Sequence, residues 1–163
     1  MCEQTPVTAI YELSLERIID ASPAQLYRAW TEPELLKQWF CPQPWGVAHA
    51  ELDVRAGGSN LVVMQSPDGD LFPNQGVYLE VIPNQKLVFT DAYTSAWVPS
   101  AKPFMTCTIT FADLGNGQTH YHAQVLHWNA ADHAEHEAMG FDDGWGKATD
   151  QLTALVTHIP RVC

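Results

Sequence analysis

The stretch from Asp132 to Ile159, DHAEHEAMGFDDGWGKATDQLTALVTHI, decides how the rest of the chain has to be arranged. Phe141, Trp145, Ala148, Leu152, Leu155, Val156 and Ile159 recur at the helical period and share one stripe. The pattern predicts one long amphipathic helix over about 132–159, with Asn129 or Asp132 as its cap. Such a helix must bury its stripe against a broad apolar surface, and the residues upstream supply one.

Working back from that helix, Thr119 to Trp128 and Phe104 to Phe111 flank Gly115-Asn116-Gly117, a hairpin signal with a physical basis in positive φ. Leu87 to Thr90, Gly76 to Ile82 and Asn60 to Gln65 read as further strands. They are separated by Pro83-Asn84 and Pro67-Asp68-Gly69, and Gly57-Gly58 turns the chain into Asn60. Ala48, Ala50, Leu52 and Val54 alternate with His49, Glu51, Asp53 and Arg55, as a half-buried strand should. Before them, Ser22-Pro23 starts a short helix through Trp30, because Ser caps and Pro tolerates the first helical position. Thr31-Glu32-Pro33-Glu34 restarts a second helix that stops near Pro42 and Pro44. Val7 to Ile19 reads as the first strand, with Ile10, Leu13, Leu15 and Ile18 as its apolar set. Strand, two short helices, a meander and one long helix describe an α+β helix-grip fold, a curved antiparallel sheet wrapped around the last helix. One domain over 1–163 with a core over about 8–159 is expected.

The balance of 8 Lys+Arg against 19 Asp+Glu, a net charge of −11, argues against nucleic acid and anionic membrane surfaces as partners. No apolar run approaches the roughly 20 residues of a membrane-spanning helix. Met1-Cys2-Glu3-Gln4-Thr5-Pro6 lacks the basic and apolar regions of a signal peptide, so the cytoplasm is the expected location. Cys2, Cys41, Cys107 and Cys163 include no C-x-x-C pair, which fits reduced thiols rather than a disulfide framework or zinc knuckle. No metal and no cofactor is expected. His133-x-x-His136 lacks a third ligand, and no Walker, G-x-G-x-x-G or G-x-S-x-G motif occurs.

Trp30-Thr31-Glu32-Pro33-Glu34-Leu35-Leu36-Lys37-Gln38-Trp39-Phe40 resembles the W-T-x-P-x-x-L-x-x-W-F signature of the AHSA-like group. These proteins are similar to the domain of the activator of the Hsp-90 ATPase, within the START-related, birch-pollen-allergen-like (SRPBCC) superfamily. Asp53-Val54-Arg55-Ala56-Gly57-Gly58, Pro67-Asp68-Gly69, Gly76 to Pro83, Leu87 to Thr90 and Met139 to Trp145 match in order and spacing. Lys102 to Thr106, His127-Trp128 and His136-Glu137 resemble one bacterial branch, for which a homodimer is compatible. The resemblance departs at Asn60 and Asp91, where the family often carries Trp, and this implies a roomier or more polar cavity. The superfamily hosts binders, cyclases, hydrolases and co-chaperone modules, so the resemblance implies fold more firmly than activity.

The residues themselves place a ligand cavity between sheet and helix. Aromatic candidates for its lining are Trp39, Phe72, Tyr78, Phe89, Trp97, Phe111, Tyr121, Phe141 and Trp145, joined by Val62 and Met64. Residue by residue, core packing is the commoner role for such aromatics, with some cavity expected in total, and Trp97 sits on a Pro-bounded loop that could act as a lid. Strand phase puts His127 inward with Tyr121, Ala123 and Val125, and turns His120 and His122 outward. Glu137, four residues before Phe141, falls at the edge of the stripe, with His136 on the far side unless Gly140 distorts the helix. Glu137 and His127 are therefore the expected polar pair, able to orient a ligand hydroxyl or act as a general base. Glu137 as a solvated first-turn residue is the alternative.

Three functions follow in order. The first is binding of a small hydrophobic or aromatic molecule. The second is a cyclase or hydrolase in the same cavity, with Glu137 or His127 as its acid–base residue. The third is a protein-interaction module acting on a chaperone.

Overall fold

A computed structural model of the chain describes residues 11–159. Residues 7–10 of the expected first strand, and Cys2 and Cys163, lie outside the described residues. The elements are β1 (Tyr11–Ile19), α1 (Pro23–Thr31), α2 (Pro33–Leu36), β2 (Gly46–Leu52), β3 (Ser59–Gln65), β4 (Leu71–Ile82) and β5 (Lys86–Thr90). They continue with β6 (Tyr93–Ser95), β7 (Val98–Pro99), β8 (Met105–Asp113), β9 (Thr119–His127), α3 (Ala130–Ala138) and α4 (Phe141–Val156). Seven strands form one antiparallel sheet in the order β1-β9-β8-β5-β4-β3-β2. Register shifts at Val47/His49 and Tyr78/Glu80 add local bend to it.

The sheet has one apolar face because its strands alternate. In β9, Thr119, Tyr121, Ala123, Val125 and His127 are all buried, while His120 and His122 turn to the other face and approach Glu16 at 3.6 and 3.9 Å. Cys107, Ile109 and Phe111 of β8 face the same way as the buried set of β9. Gly115 and Gly117 both hold a φ of 82° in the hairpin between these strands. In β1 the inward residues are Leu15 and Ile19, so Ile18, counted in the strand's apolar set, is 59% exposed. Ile19 and Ile18 cannot share a face, and the adjacent register with Thr119 puts Ile19 inside.

The helices pack as the caps foretell. Ser22 Oγ accepts from the Gln25 amide at 3.2 Å, and Gln25 Oε1 accepts from the Ser22 amide at 2.7 Å, a reciprocal capping box. The same Gln25 donates through Nε2 to the carbonyls of Val156 (3.3 Å) and Ile159 (2.5 Å). It thus satisfies orphan acceptors at the end of α4 and ties the first helix to the last. Phe141, Ala148, Leu152 and Val156 of α4 are buried against the sheet's concave face. Full burial of side chains the size of Phe141, Leu152 and Val156 stabilises by about 1.5–3 kcal/mol each.

The expected single helix is two. Gly140 has φ 85° and ψ 50°, a left-handed conformation that ends α3 and serves as N-cap of α4. Glycine reaches it without the steric cost of a Cβ. The short β6–β7 ribbon, on the segment between β5 and β8, has no counterpart in the sequence expectation.

Candidate functional site

A cavity of about 550 Å³ lies between the sheet and α4. Val62, Met64, Tyr78 and Phe89 form its sheet wall, and Leu36, Phe40 and Cys41 come from α2 and the turn after it. Phe141 and Trp145 face them from α4, with ring centroids 5.2 Å apart. Asp91, Ser100, Lys102 and Phe104 contribute from the segment between β5 and β8. Asn60, where the family often has Trp, also lines the space, as does Asp91, the second such position.

Six of the thirteen sequence candidates line the cavity: Val62, Met64, Tyr78, Phe89, Phe141 and Trp145. Trp39, Phe111 and Tyr121 are buried in the core instead. Trp39 packs behind Trp30 at 4.8 Å and donates to the Ala29 carbonyl at 3.0 Å. Trp30, which does line the cavity, donates to Tyr121 Oη at 3.2 Å. Phe72 is 47% exposed and stacks on Trp45 at 5.4 Å. Trp97 is 61% exposed, with φ 66°, and meets Tyr93 edge-on rather than the cavity.

The expected pair of Glu137 and His127 does not form. Glu137 is 66% exposed, and its Oε2 lies 3.9 Å from His133 Nδ1 on the outer side of α3. The residue that reaches inward is His136. Its assignment to the far side assumed a continuous helix, and the break at Gly140 rotates the phase of α3 relative to α4. His136 lines the cavity, and His127 stands behind it.

The hydrogen bonds fix the tautomers of this pair. An indole N–H can only donate, so His136 Nε2 accepts from Trp145 Nε1 at 3.3 Å. His136 therefore carries its proton on Nδ1 and donates to His127 Nε2 at 2.8 Å. His127 in turn donates from Nδ1 to the Tyr11 carbonyl at 3.2 Å. All three N–H bonds point the same way, from α4 through α3 and β9 to β1. Phe104 and Phe141 enclose His136 at 5.3 and 5.0 Å. Burial first, then the neighbouring His127 and His133, push its pKa down to about 4. At neutral pH it is an uncharged imidazole.

Burial acts in the opposite sense on the other ionisable groups nearby. The Cys41 thiol is pushed up to about 11, and the Tyr78 phenol is raised by burial with help from Tyr27 and Asp53. Both stay protonated at neutral pH, so Cys41 offers no thiolate nucleophile. Asp91 is held by its backbone contacts: Oδ1 accepts from the amides of Phe104 (2.8 Å) and Met105 (3.0 Å). Among the described residues, no cluster of three or more His, Cys, Asp or Glu is arranged to hold a metal ion. No described helix is long and apolar enough to cross a membrane.

The family model for Activator of Hsp90 ATPase homolog 1-like proteins matches residues 20–157, from the end of β1 to the end of α4. The chain belongs to this family. A protein from Nitrosomonas europaea is 38% identical, with a TM-score of 0.86 over 90% of this chain and 94% of that one. One from Chromobacterium violaceum is 28% identical, with a TM-score of 0.71 over 90% and 96%. An AHSA1-like protein from Aeromonas hydrophila, at 18% identity and a TM-score of 0.70 over 93% and 99%, shares the fold. No curated protein matches the chain. Within this Activator of Hsp90 ATPase homolog 1-like fold, His136, Phe104, Ser100 and Lys102 escaped the sequence reading. Three of them lie on an irregular segment without a period to read, and the fourth lies just before Gly140, whose helix-breaking character was the available signal.

Proposed function

We propose that the protein binds a small, predominantly hydrophobic or aromatic molecule between the sheet and α4. The cavity carries this reading: its volume of about 550 Å³ falls in the range of small-molecule sites, and its walls are mostly apolar, with seven Trp, Phe and Tyr side chains among them. Native mass spectrometry of protein purified from its own host, followed by denaturation and analysis of released compounds, tests it. A stoichiometric apolar compound is the expected result. A clean apo mass, with no thermal shift across a panel of aromatic metabolites, would overturn the reading.

A second reading, acid–base catalysis in the same cavity, is favoured by one observation. His136 reaches the lining with His127 and the Tyr11 carbonyl orienting it through Nδ1, so Nε2 becomes a base for any ligand that displaces its 3.3 Å contact with Trp145. Turnover of a bound compound that disappears in His136→Gln, with binding retained, would establish this role in place of Glu137.

A further inference from the structure

We infer that the molecule carried in the cavity is an amphipathic carboxylic acid, whose carboxylate is taken by Ser100 and Lys102 while its apolar body fills the aromatic end. The inference rests on the binding reading above and specifies its ligand. Two observations carry it. Ser100 lines the cavity, and its Oγ is the one buried side-chain polar atom among the described residues with no hydrogen-bond partner. A buried hydroxyl without a partner costs on the order of 1–3 kcal/mol, so a ligand acceptor placed there gains more than it would at a satisfied group.

The second observation is the distribution of charge. Two residues further along the same segment, Lys102 also lines the cavity, and it makes no ion pair with a described acid. Arg28, Lys37, Arg55 and Lys86 are each paired with a carboxylate, and Arg17 and Lys147 donate to the Glu16 and Gln43 carbonyls at 2.9 and 2.5 Å. In a chain with 19 acidic residues and 8 basic ones, an exposed lysine at the rim of a cavity, without a described carboxylate partner, is the feature that can draw in an anion.

Three of the other polar groups in the lining are already committed. Asp91, the carboxylate of the lining, has Oδ1 committed to the Phe104 and Met105 amides. Asn74 Nδ2 already donates to the Phe72 carbonyl at 3.0 Å. His136 Nε2 and Nδ1 are both engaged, and the ring is neutral at pH 7, so it adds no positive charge. Ser100 and Lys102 are thus the two donors on one segment that can meet an acceptor-rich group together, while Asn60, Gln75 and Tyr78 carry further polar groups on the sheet wall. Trp30, Phe40, Phe89, Phe141 and Trp145 give the lining its aromatic faces, which suit an aryl or branched apolar body.

A matched pair of probes separates this inference from the cavity reading. Sodium 2-naphthoate and 2-naphthamide have the same shape and differ in charge, and calorimetry at pH 7.5 reads both affinities on the full chain. The wild type should bind naphthoate about tenfold more tightly than naphthamide, as a charge-assisted hydrogen bond allows. Lys102→Met should bring that ratio close to one. Ser100→Ala should weaken both probes about three- to tenfold, because each presents an acceptor oxygen. Naphthamide binding as tightly as naphthoate, or a ratio unchanged in Lys102→Met, would overturn the carboxylate assignment and leave the cavity reading intact. Failure of both probes and of 2-methylnaphthalene would overturn the two together. Near-UV circular dichroism confirms that each variant retains the native fold.

Discussion

His127 Nε2 and His136 Nδ1 lie 2.8 Å apart, and the direction of their hydrogen bond is dictated by a third residue, Trp145, which can only donate. This arrangement requires an uncharged His136. Protonation would place an N–H against the Trp145 N–H and add a cation beside His127 and His133. The folded state therefore holds His136 near pKa 4, whereas the unfolded chain leaves it near 6.5.

The pH dependence of stability follows from that difference. Between about pH 4 and pH 6.5 the unfolded chain binds more protons at this site than the folded one, so stability is full above pH 6.5 and falls as the pH is lowered. The loss reaches at most about 3 kcal/mol by pH 4. Urea midpoints measured across this range should decline with acidity in the wild type and decline less in His136→Gln. Parallel profiles for the two proteins would show that His136 is not the group responsible.

Gly140 and Gly144 should respond oppositely to alanine. Gly140→Ala forces a Cβ into φ 85° and should cost about 1–2 kcal/mol. Gly144 lies inside α4, where an added Cβ would meet nothing within 4 Å, so Gly144→Ala should stabilise by about 0.5–1 kcal/mol. Because Gly144 also lines the cavity, the same variant should reduce the affinity of bulky probes. Chemical denaturation measures the first pair of effects and calorimetry the second.

Gln25→Ala removes more than an N-terminal cap. The carbonyls of Val156 and Ile159 lose their donor, and the Ser22 amide loses its acceptor. A destabilisation of about 1–3 kcal/mol is expected. Gln25→Glu should not restore it, since a carboxylate keeps the bond to Ser22 but cannot donate to the two carbonyls. Thermal unfolding of the three proteins decides the matter.

With Cys2→Ser and Cys163→Ser in place, Cys41 and Cys107 should resist a thiol reagent at pH 8 in the folded protein and react in urea. Both are buried, and burial raises both thiols, Cys41 to about 11. Rapid labelling of Cys41 alone would show that the cavity wall it belongs to opens to solvent.

What the sequence disclosed was whatever repeats along a strand or a helix. The phase of β9 put His127 inside, the Ser22-Pro23 pair marked the start of α1, and the Gly115-Asn116-Gly117 turn joined β8 to β9. The stripe of α4 was legible for the same reason. Extending its period back through Gly140 exchanged His136 for Glu137, since a left-handed residue resets the angle at which the preceding turns project. Trp39 and Tyr121 had the right hydrophobicity for the cavity but lie one layer deeper, and hydrophobicity alone does not report depth. Ser100, Lys102 and Phe104 sit where the backbone has no period. Their convergence is a property of the third dimension.

The segment carrying those three residues begins and ends on one hydrogen-bonded seam. Thr90 pairs with Thr106 across β5 and β8, their hydroxyls meet at 3.0 Å, and Asp91 clasps the amides of Phe104 and Met105. Both ends of the loop are thus riveted to neighbouring strands, like a handle fixed by two adjacent screws. Between the screws the β6–β7 ribbon leans on β4, so a swing of the handle breaks those contacts and leaves the mounting in place. Traffic into the cavity would then be a local transaction, registered as faster amide exchange at residues 92–103 while β8 and β9 keep the protection of the intact sheet.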